Sequence, residues 1–181
     1  DGVEIAFATT GSGPPVLLIH GFASNGRVNW VNTGWVELLV QAGFRVIVMD
    51  NRGHGESEKI HVPQAYDSPA MPEDARRLLD HLGIGQAAVM GYSMGARIAA
   101  FLTLRHPTRV ARVIFAGMAS RLITGVAGSD QIAAALEAPT AREVTSREGR
   151  LFRAFAEQTG SDLGALAACM RSGRARITAD E

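Results

Sequence analysis

The sequence predicts an α/β fold, in which a mostly parallel β-sheet is flanked by helices and followed by a purely helical segment. Three observations lead to this prediction. Short apolar runs, typical of strands covered on both faces, alternate with amphipathic patterns of helical period. Several of these runs end in a polar turn that contains glycine, and the strand signal stops near residue 120.

The apolar runs predict the strands of this sheet. Residues 3–9 alternate apolar with small or polar side chains, which is typical of a half-buried strand. The other strands are predicted at residues 16–19, 44–49, 87–90 and 110–115. Because the carboxyl ends of parallel strands form a common crevice, the turns that follow them are expected to converge on one rim: residues 20–22, 50–52, Ser93 and 116–118.

Helical periodicity predicts helices between and after these strands. Those between the strands are predicted at residues 33–42, 69–82 and 94–105. The first of them would bury Trp35, Leu38 and Leu39. After residue 120 the pattern predicts only short helices, at residues 130–138, 146–158 and 162–171. We therefore expect residues 1–119 to form an α/β core and residues 120–181 to form a helical segment over the rim.

Composition narrows the functional classes. The 181 residues carry 18 Lys and Arg against 18 Asp and Glu, which gives no reason to expect a nucleic-acid or membrane partner. The single cysteine, Cys169, excludes an internal disulfide and fits the reducing cytoplasm. No metal-ligand spacing is present, and no cofactor is expected. The chain starts without methionine and ends in a helix-capping pattern at residues 178–181, so we expect a fragment.

The segment G-Y-S-M-G, between a predicted strand and a predicted helix, carries the main chemical signal. Ser93 lies at the centre of a nucleophile elbow, a tight strand-to-helix turn that exposes a serine hydroxyl. Gly91 and Gly95 lack Cβ atoms, so strand and helix can approach each other closely. The positive end of the helix that begins near Met94 then faces the serine. The alternative interpretation is an ordinary turn serine.

Three motifs in order resemble the α/β-hydrolase family: H-G-F after one strand, D-N-R-G-H-G-E-S after the next, and G-Y-S-M-G after a third. The resemblance implies that Ser93 is the nucleophile, and that the backbone amides of Phe22 and Met94 form the oxyanion hole. It also implies that residues 120–181 begin a helical cap. The family's C-terminal strands are absent, and no histidine follows His106, so the catalytic acid and histidine are expected beyond residue 181.

The remaining candidates have both structural and catalytic interpretations. His20 next to Gly21 is expected to be a buried structural histidine, although its position near the site also suits a base. Asp50 is expected to fix its own loop, with a catalytic carboxylate as the alternative. Tyr92 and Met118 either line the acyl pocket or pack in the core.

One further residue, Arg97, lies one helical turn after Ser93 and is expected on a solvated helix face. A synthase that binds a dicarboxylate would need a basic pocket, for which Arg97 and Arg121 are the nearby candidates.

The leading hypothesis is a serine hydrolase that cleaves small carboxylic esters or lactones through an acyl-enzyme on Ser93. Related branches that act on epoxides use aspartate at the elbow, which argues against them. One alternative is non-hydrolytic or carbon–carbon chemistry, resembling a pyruvate-eliminating synthase or a perhydrolase. The other is a catalytically incomplete fragment or binding module. The strand at residues 110–115 would leave an open sheet edge, through which self-association is expected.

Overall fold

The computed structural model describes residues 1–124, 128–173 and 175–178. It confirms the predicted fold class: a mostly parallel sheet with flanking helices, followed by helices alone. Residues 179–181 of the predicted helix-capping pattern lie outside the described residues.

The five-stranded sheet has the order β1-β3-β2-β4-β5. Its strands are β1 (Phe7–Thr10), β2 (Pro15–Ile19), β3 (Arg45–Met49), β4 (Ala87–Tyr92) and β5 (Val110–Ala116). β1 is antiparallel to β3, and the other pairs are parallel. Ile19 pairs with both Met49 and Gly91, so the ends of the three central strands lie side by side. The turns after these strands consequently share one rim.

β1 is shorter than predicted and is not half-buried. The strand was expected over residues 3–9, but it covers Phe7–Thr10, and all four of its residues are exposed. The preceding residues follow the loop after β3 instead, because Ala6 O accepts from the Asp50 amide and Glu4 O accepts from the Glu58 amide. An edge strand that pairs on one side only does not need an apolar face to be held in place.

Six of the described helices fall close to their predicted positions, and a short one at Arg121–Thr124 was not predicted. They are α1 (Trp35–Gln41), α2 (Ala70–His81), α3 (Met94–Arg105), α4 (Arg121–Thr124), α5 (Ser129–Glu137), α6 (Arg147–Gln158) and α7 (Leu163–Arg171). The predicted buried face of α1 is wrong for two of its three residues. Trp35 is 39% exposed and Leu38 56% exposed, while Val36, Leu39 and Val40 pack against the sheet. The helix begins two residues later than predicted, after Gly34 at φ +82°.

The sheet separates two apolar layers. Alternate residues such as Leu17, Ile47 and Val89 face α2 and α3, and this cluster continues into α5, α6 and α7. The residues between them, such as Leu18 and Val48, face Trp30 and α1. The helices after residue 128 therefore share the larger core with the sheet.

One arginine holds α5 and α6 together. Arg153 of α6 is buried and donates to the Ala135 and Ala138 carbonyls, at 3.0 and 2.8 Å, at the end of α5. A cation at the C-terminus of a helix satisfies carbonyls that have no partner within that helix.

No helix within the described ranges is long and apolar enough to cross a bilayer.

Candidate active site

The turn between β4 and α3 holds Ser93 in an unusual backbone conformation. Its φ is +53° and its ψ is −116°, a combination of backbone angles that residues other than glycine rarely adopt. The Ser93 amide donates to the Ala116 carbonyl of β5 at 2.8 Å, and the Ser93 carbonyl accepts from the Ala96 amide at 2.9 Å. Strain of about 1–3 kcal/mol persists only where surrounding structure enforces it, and these two bonds help to enforce it here.

Glycines surround this serine where a side chain would collide with backbone. A Cβ on Gly91 would lie 2.2 Å from the Gly95 carbonyl oxygen, and one on Gly95 would lie 2.1 Å from the Ile19 oxygen. Both distances are far below a van der Waals contact, so α3 approaches β4 and β2 only because these residues lack Cβ atoms. On the other side, a Cβ on Gly21 would lie 3.4 Å from Ser93 Cβ.

A second loop, residues 20–24, borders the same serine. The Gly21 amide donates to Asn29 Oδ1 at 3.0 Å. Ala23 is buried and has a positive φ of +57°, which turns the chain sharply after Phe22. Within the part of the chain that the structure describes, the amides of Phe22 and Met94 have no hydrogen-bond partner. Two unpaired donors on separate segments beside one hydroxyl can stabilise an oxyanion.

A cavity of about 430 Å³ opens at Ser93. Most of its lining residues are apolar: Phe22, Tyr92, Met94, Met118, Ile132, Phe152, Phe155 and Met170. The structure thus brings Ser93, Phe22, Met94, Tyr92 and Met118 to one cavity. Of the last two, Tyr92 is half exposed and Met118 is buried. The sequence predicted a helical segment over this rim but not which of its side chains line the cavity; these are Ile132, Phe152, Phe155 and Met170.

Arg97 corrects an expectation from the sequence. It does not lie on a solvated face: it is half-buried and borders the cavity. Its guanidinium donates to the Leu122 and Ala175 carbonyls and lies 5.2 Å above the Phe101 ring. This cation is therefore engaged by backbone oxygens on both sides of the helical segment.

His20 is the first residue of the loop of residues 20–24, and its side chain points into the protein interior. It is fully buried, with Nδ1 2.7 Å from the Gly21 carbonyl oxygen and Nε2 accepting from the Asn51 amide at 2.9 Å. Burial lowers the pKa of His20 to about 4, so the ring is neutral at pH 7. Asp50 fixes two backbone segments, since its carboxylate accepts from the Gly26 amide at 2.7 Å and the Glu56 amide at 2.8 Å.

Of the other histidines, His54 packs against the same loop, with its ring centroid 5.3 Å from that of His20 and 5.6 Å from that of Phe22. His54 is fully buried, and burial lowers its pKa to about 3. His61 pairs with Asp162 at 2.9 Å, and His106 pairs with Glu73 at 2.6 Å. None of the five histidines, all of which lie in the described ranges, lines the cavity at Ser93. Those same ranges contain no cluster of three or more potential metal ligands.

Ser93 is partly buried, held at positive φ in a strand-to-helix turn and borders the cavity, which is the arrangement of a nucleophile elbow. Comparison with known proteins identifies the family. Residues 14–157 match the family model described as the alpha/beta hydrolase fold, and the chain belongs to that family.

Two curated relatives and one solved structure illustrate the range of this family. Over 119 residues, 65% of this chain and 33% of the relative, the chain is 36% identical to "Epoxide hydrolase B" of Mycobacterium tuberculosis. Over 118 residues, 65% of this chain and 41% of the relative, it is 35% identical to the "Non-heme haloperoxidase" of Rhodococcus erythropolis. The structure described as "Est816 as an N-Acyl homoserine lactone degrading enzyme" superimposes with a TM-score of 0.67 and 28% identity, covering 93% of this chain and 68% of that one. The chain thus spans between a third and about two fifths of the length of these curated relatives.

Proposed function

We propose that this chain carries the nucleophile and oxyanion hole of a serine hydrolase that cleaves small carboxylic esters, lactones included. One observation carries the proposal. Ser93 is held at φ +53° at the mouth of a cavity, beside the unpaired amides of Phe22 and Met94. These are the parts that acyl transfer needs to form and stabilise a tetrahedral intermediate.

The reaction would proceed in two halves. Ser93 Oγ attacks the substrate carbonyl carbon, and the oxyanion that forms accepts hydrogen bonds from the Phe22 and Met94 amides. Collapse of this intermediate breaks the ester C–O bond and leaves the acyl group on Ser93. The departing oxygen takes the proton that the base removed from Ser93 and leaves as the alcohol, which in a lactone stays attached to the acyl group. Water then hydrolyses the acyl-enzyme. Removal of one oxyanion donor typically lowers the rate about 10²–10³-fold.

A general base must remove the Ser93 proton, and no histidine in the described ranges lines the cavity. We therefore place the histidine and its carboxylate partner outside residues 1–181. This chain by itself would then bind substrates but turn them over poorly, since hydrolases stripped of triad members retain only about 10³–10⁴-fold acceleration over water.

The cavity favours an uncharged substrate. Its lining is dominated by apolar side chains, and Arg97, which borders it, donates to two backbone carbonyls. A synthase that binds a dicarboxylate would need a cation directed at its substrate, so this arrangement argues against that alternative.

We propose that α5, α6 and α7, within the segment 120–181, act as a cap over Ser93. The buried thiol of Cys169 suits a cytoplasmic protein.

The similarities point in more than one chemical direction. The likeness to an epoxide hydrolase conflicts with Ser93, because the family resemblance associates epoxide opening with an aspartate at this position. The lactone-degrading structure supports ester chemistry. The haloperoxidase relative favours a second candidate, perhydrolysis, in which hydrogen peroxide rather than water attacks the acyl-enzyme.

The test uses the complete product of the reading frame that contains this chain. We expect it to hydrolyse p-nitrophenyl butyrate or a γ-lactone, and expect Ser93→Ala to abolish turnover without lowering the melting temperature. Added peroxide would yield peracid if the second candidate is right. Turnover of an epoxide with full activity in Ser93→Ala would overturn the proposal. Rapid stoichiometric fluorophosphonate labelling of residues 1–181 alone would overturn our placement of the base.

A further inference from the structure

Helix α6 and the residue that follows it contact two successive residues of the loop 20–24, Phe22 and Ala23. Phe152 lies edge-on to Phe22, with ring centroids 5.7 Å apart and an interplanar angle of 64°. Thr159, the residue after the end of α6, has its Oγ1 2.9 Å from the Ala23 carbonyl oxygen. One helix from the helical segment thus supports both the residue that presents an oxyanion amide and the residue after it.

The Ala23 carbonyl is a sensitive point of this loop. Ala23 has φ +57°, a left-handed conformation that costs a non-glycine residue on the order of 1 kcal/mol, and it is fully buried. The Ala23 carbonyl and the Ser24 amide belong to one peptide group, and that amide donates to the Gly21 carbonyl at 3.3 Å. The Gly21 carbonyl and the Phe22 amide belong to another peptide group, so the orientation of the first bears on the direction of the Phe22 amide. Within the described ranges, Thr159 is the residue that donates to this carbonyl.

The hydroxyl of Thr159 has one proton and several oxygen neighbours. Ala23 O and Ser161 Oγ are each 2.9 Å from it, and the carbonyl oxygens of Phe155 and Ala156 are each 3.1 Å from it. Of these neighbours only Ser161 can donate. If Ser161 donates to Thr159, the Thr159 proton can go to Ala23. The result is a short donor chain, from Ser161 through Thr159 to the loop.

We propose that Thr159 is a positioning residue for the oxyanion hole. Through its hydroxyl, α6 holds the Ala23 carbonyl, and with it the direction of the Phe22 amide, so that seating of the helical segment and oxyanion stabilisation are coupled. This inference rests on the proposed function. Loss of the hydroxyl misaligns one donor without removing it, so the expected loss in kcat is about tenfold, below the 10²–10³-fold effect of deleting a donor.

The test compares Thr159→Val, which keeps the shape of the side chain but not its hydrogen bond, with Thr159→Ser, which keeps the hydroxyl. In the complete reading-frame product we expect Thr159→Val to lower kcat about tenfold on p-nitrophenyl butyrate with KM nearly unchanged. Thr159→Ser should remain within about twofold of the parent. Thr140→Val is the matched control, because the Thr140 hydroxyl bonds only Glu143 among the described residues and lies outside the cavity lining.

A second measurement reports on the loop without using turnover. The Phe22 amide resonance should shift and exchange faster with solvent in Thr159→Val and return in Thr159→Ser. Should Thr159→Val fail to fold, Thr159→Ala replaces it, with the same expectations. An unchanged kcat and an unchanged Phe22 amide in a variant that lacks the hydroxyl, while Ser93→Ala is inactive, would overturn this inference and leave the proposed function standing. Full activity of Ser93→Ala would instead overturn the proposed function.

Discussion

Substituting Asp74 tests whether the buried ion pair behind the D-N-R-G-H-G-E-S loop is a single coupled unit. Arg52 is 2% exposed, and it bonds the Asp74 carboxylate through Nε at 2.7 Å and Nη2 at 2.6 Å. Its other donors reach Ala65 O and the carboxylate of Asp1. Asp74→Ala would leave a buried guanidinium with one half-exposed carboxylate as its nearest countercharge.

The magnitude follows from these contacts. Removing one partner of a buried ion pair costs about 3–5 kcal/mol. Because Asp1 and Ala65 still accept from Arg52, we expect the lower end, about 3 kcal/mol. That is a large share of the 5–15 kcal/mol by which domains are typically stable. At about 2–4 °C per kcal/mol for a chain of this length, the melting temperature should fall by about 6–12 °C.

The assay is thermal and urea unfolding of Asp74→Ala, of the single variants Arg52→Met and Asp74→Leu, and of the double variant that combines these two and so replaces both charges by apolar side chains. We expect this double variant to be more stable than Asp74→Ala, since a buried pair can be exchanged for apolar groups at little net cost. Arg77→Met is the control: Arg77 is exposed and 3.9 Å from Asp74, so its loss should cost under about 1 kcal/mol. A loss below about 1 kcal/mol in Asp74→Ala, or strict additivity in the double variant, would refute the reasoning.

Other predictions address pH, strain and assembly. Burial lowers the pKa of His20 to about 4 and that of His54 to about 3, against 6.5 in the unfolded chain. Both rings therefore take up protons on unfolding below pH 6.5, and stability should fall toward pH 4 by about 1.4 kcal/mol per pH unit for each; equal urea midpoints at pH 7 and pH 5 would contradict this. Ser93→Gly relieves the φ of +53° and should be about 1 kcal/mol more stable than Ser93→Ala by thermal melting; an equal or lower melting temperature would show that the serine is not strained. β5 pairs with β4 alone among the described strands and exposes Ile114 and Phe115 at 56% and 42%. We expect light scattering of this chain to show concentration-dependent association that Ile114→Lys reduces; a monomer at every concentration in both proteins would argue against it.

What the sequence could predict was local. The predicted starts of α6 and α7 are confirmed, because Ser146 and Asp162 accept from the Gly149 and Ala165 amides three residues on, a pattern visible in the sequence. The turn at Ser93 could also be predicted from the sequence, because the glycines that permit it lie within two residues of Ser93 in the chain.

What escaped prediction depends on distant partners. The guanidinium of Arg97 is bonded 25 and 78 residues away, and Thr159 meets Ala23 across 136 residues. The prediction of the buried face of α1 was wrong for a related reason. The helical period of this segment fits more than one apolar face, and packing against Trp30 decides which of them is buried. Asn29 has no periodic signal, although its side chain holds the Gly21 amide.

The double role of α6 bears on any attempt to broaden substrate range. Phe152 and Phe155 both form a wall of the cavity, but Phe152 also rests against Phe22. Under the proposed function, we expect most substitutions at Phe152 to enlarge the cavity and to lower turnover together. Phe155 makes no ring contact with Phe22 among the described residues. We therefore expect substitutions at Phe155 to widen the cavity with less effect on the loop of residues 20–24 than substitutions at Phe152.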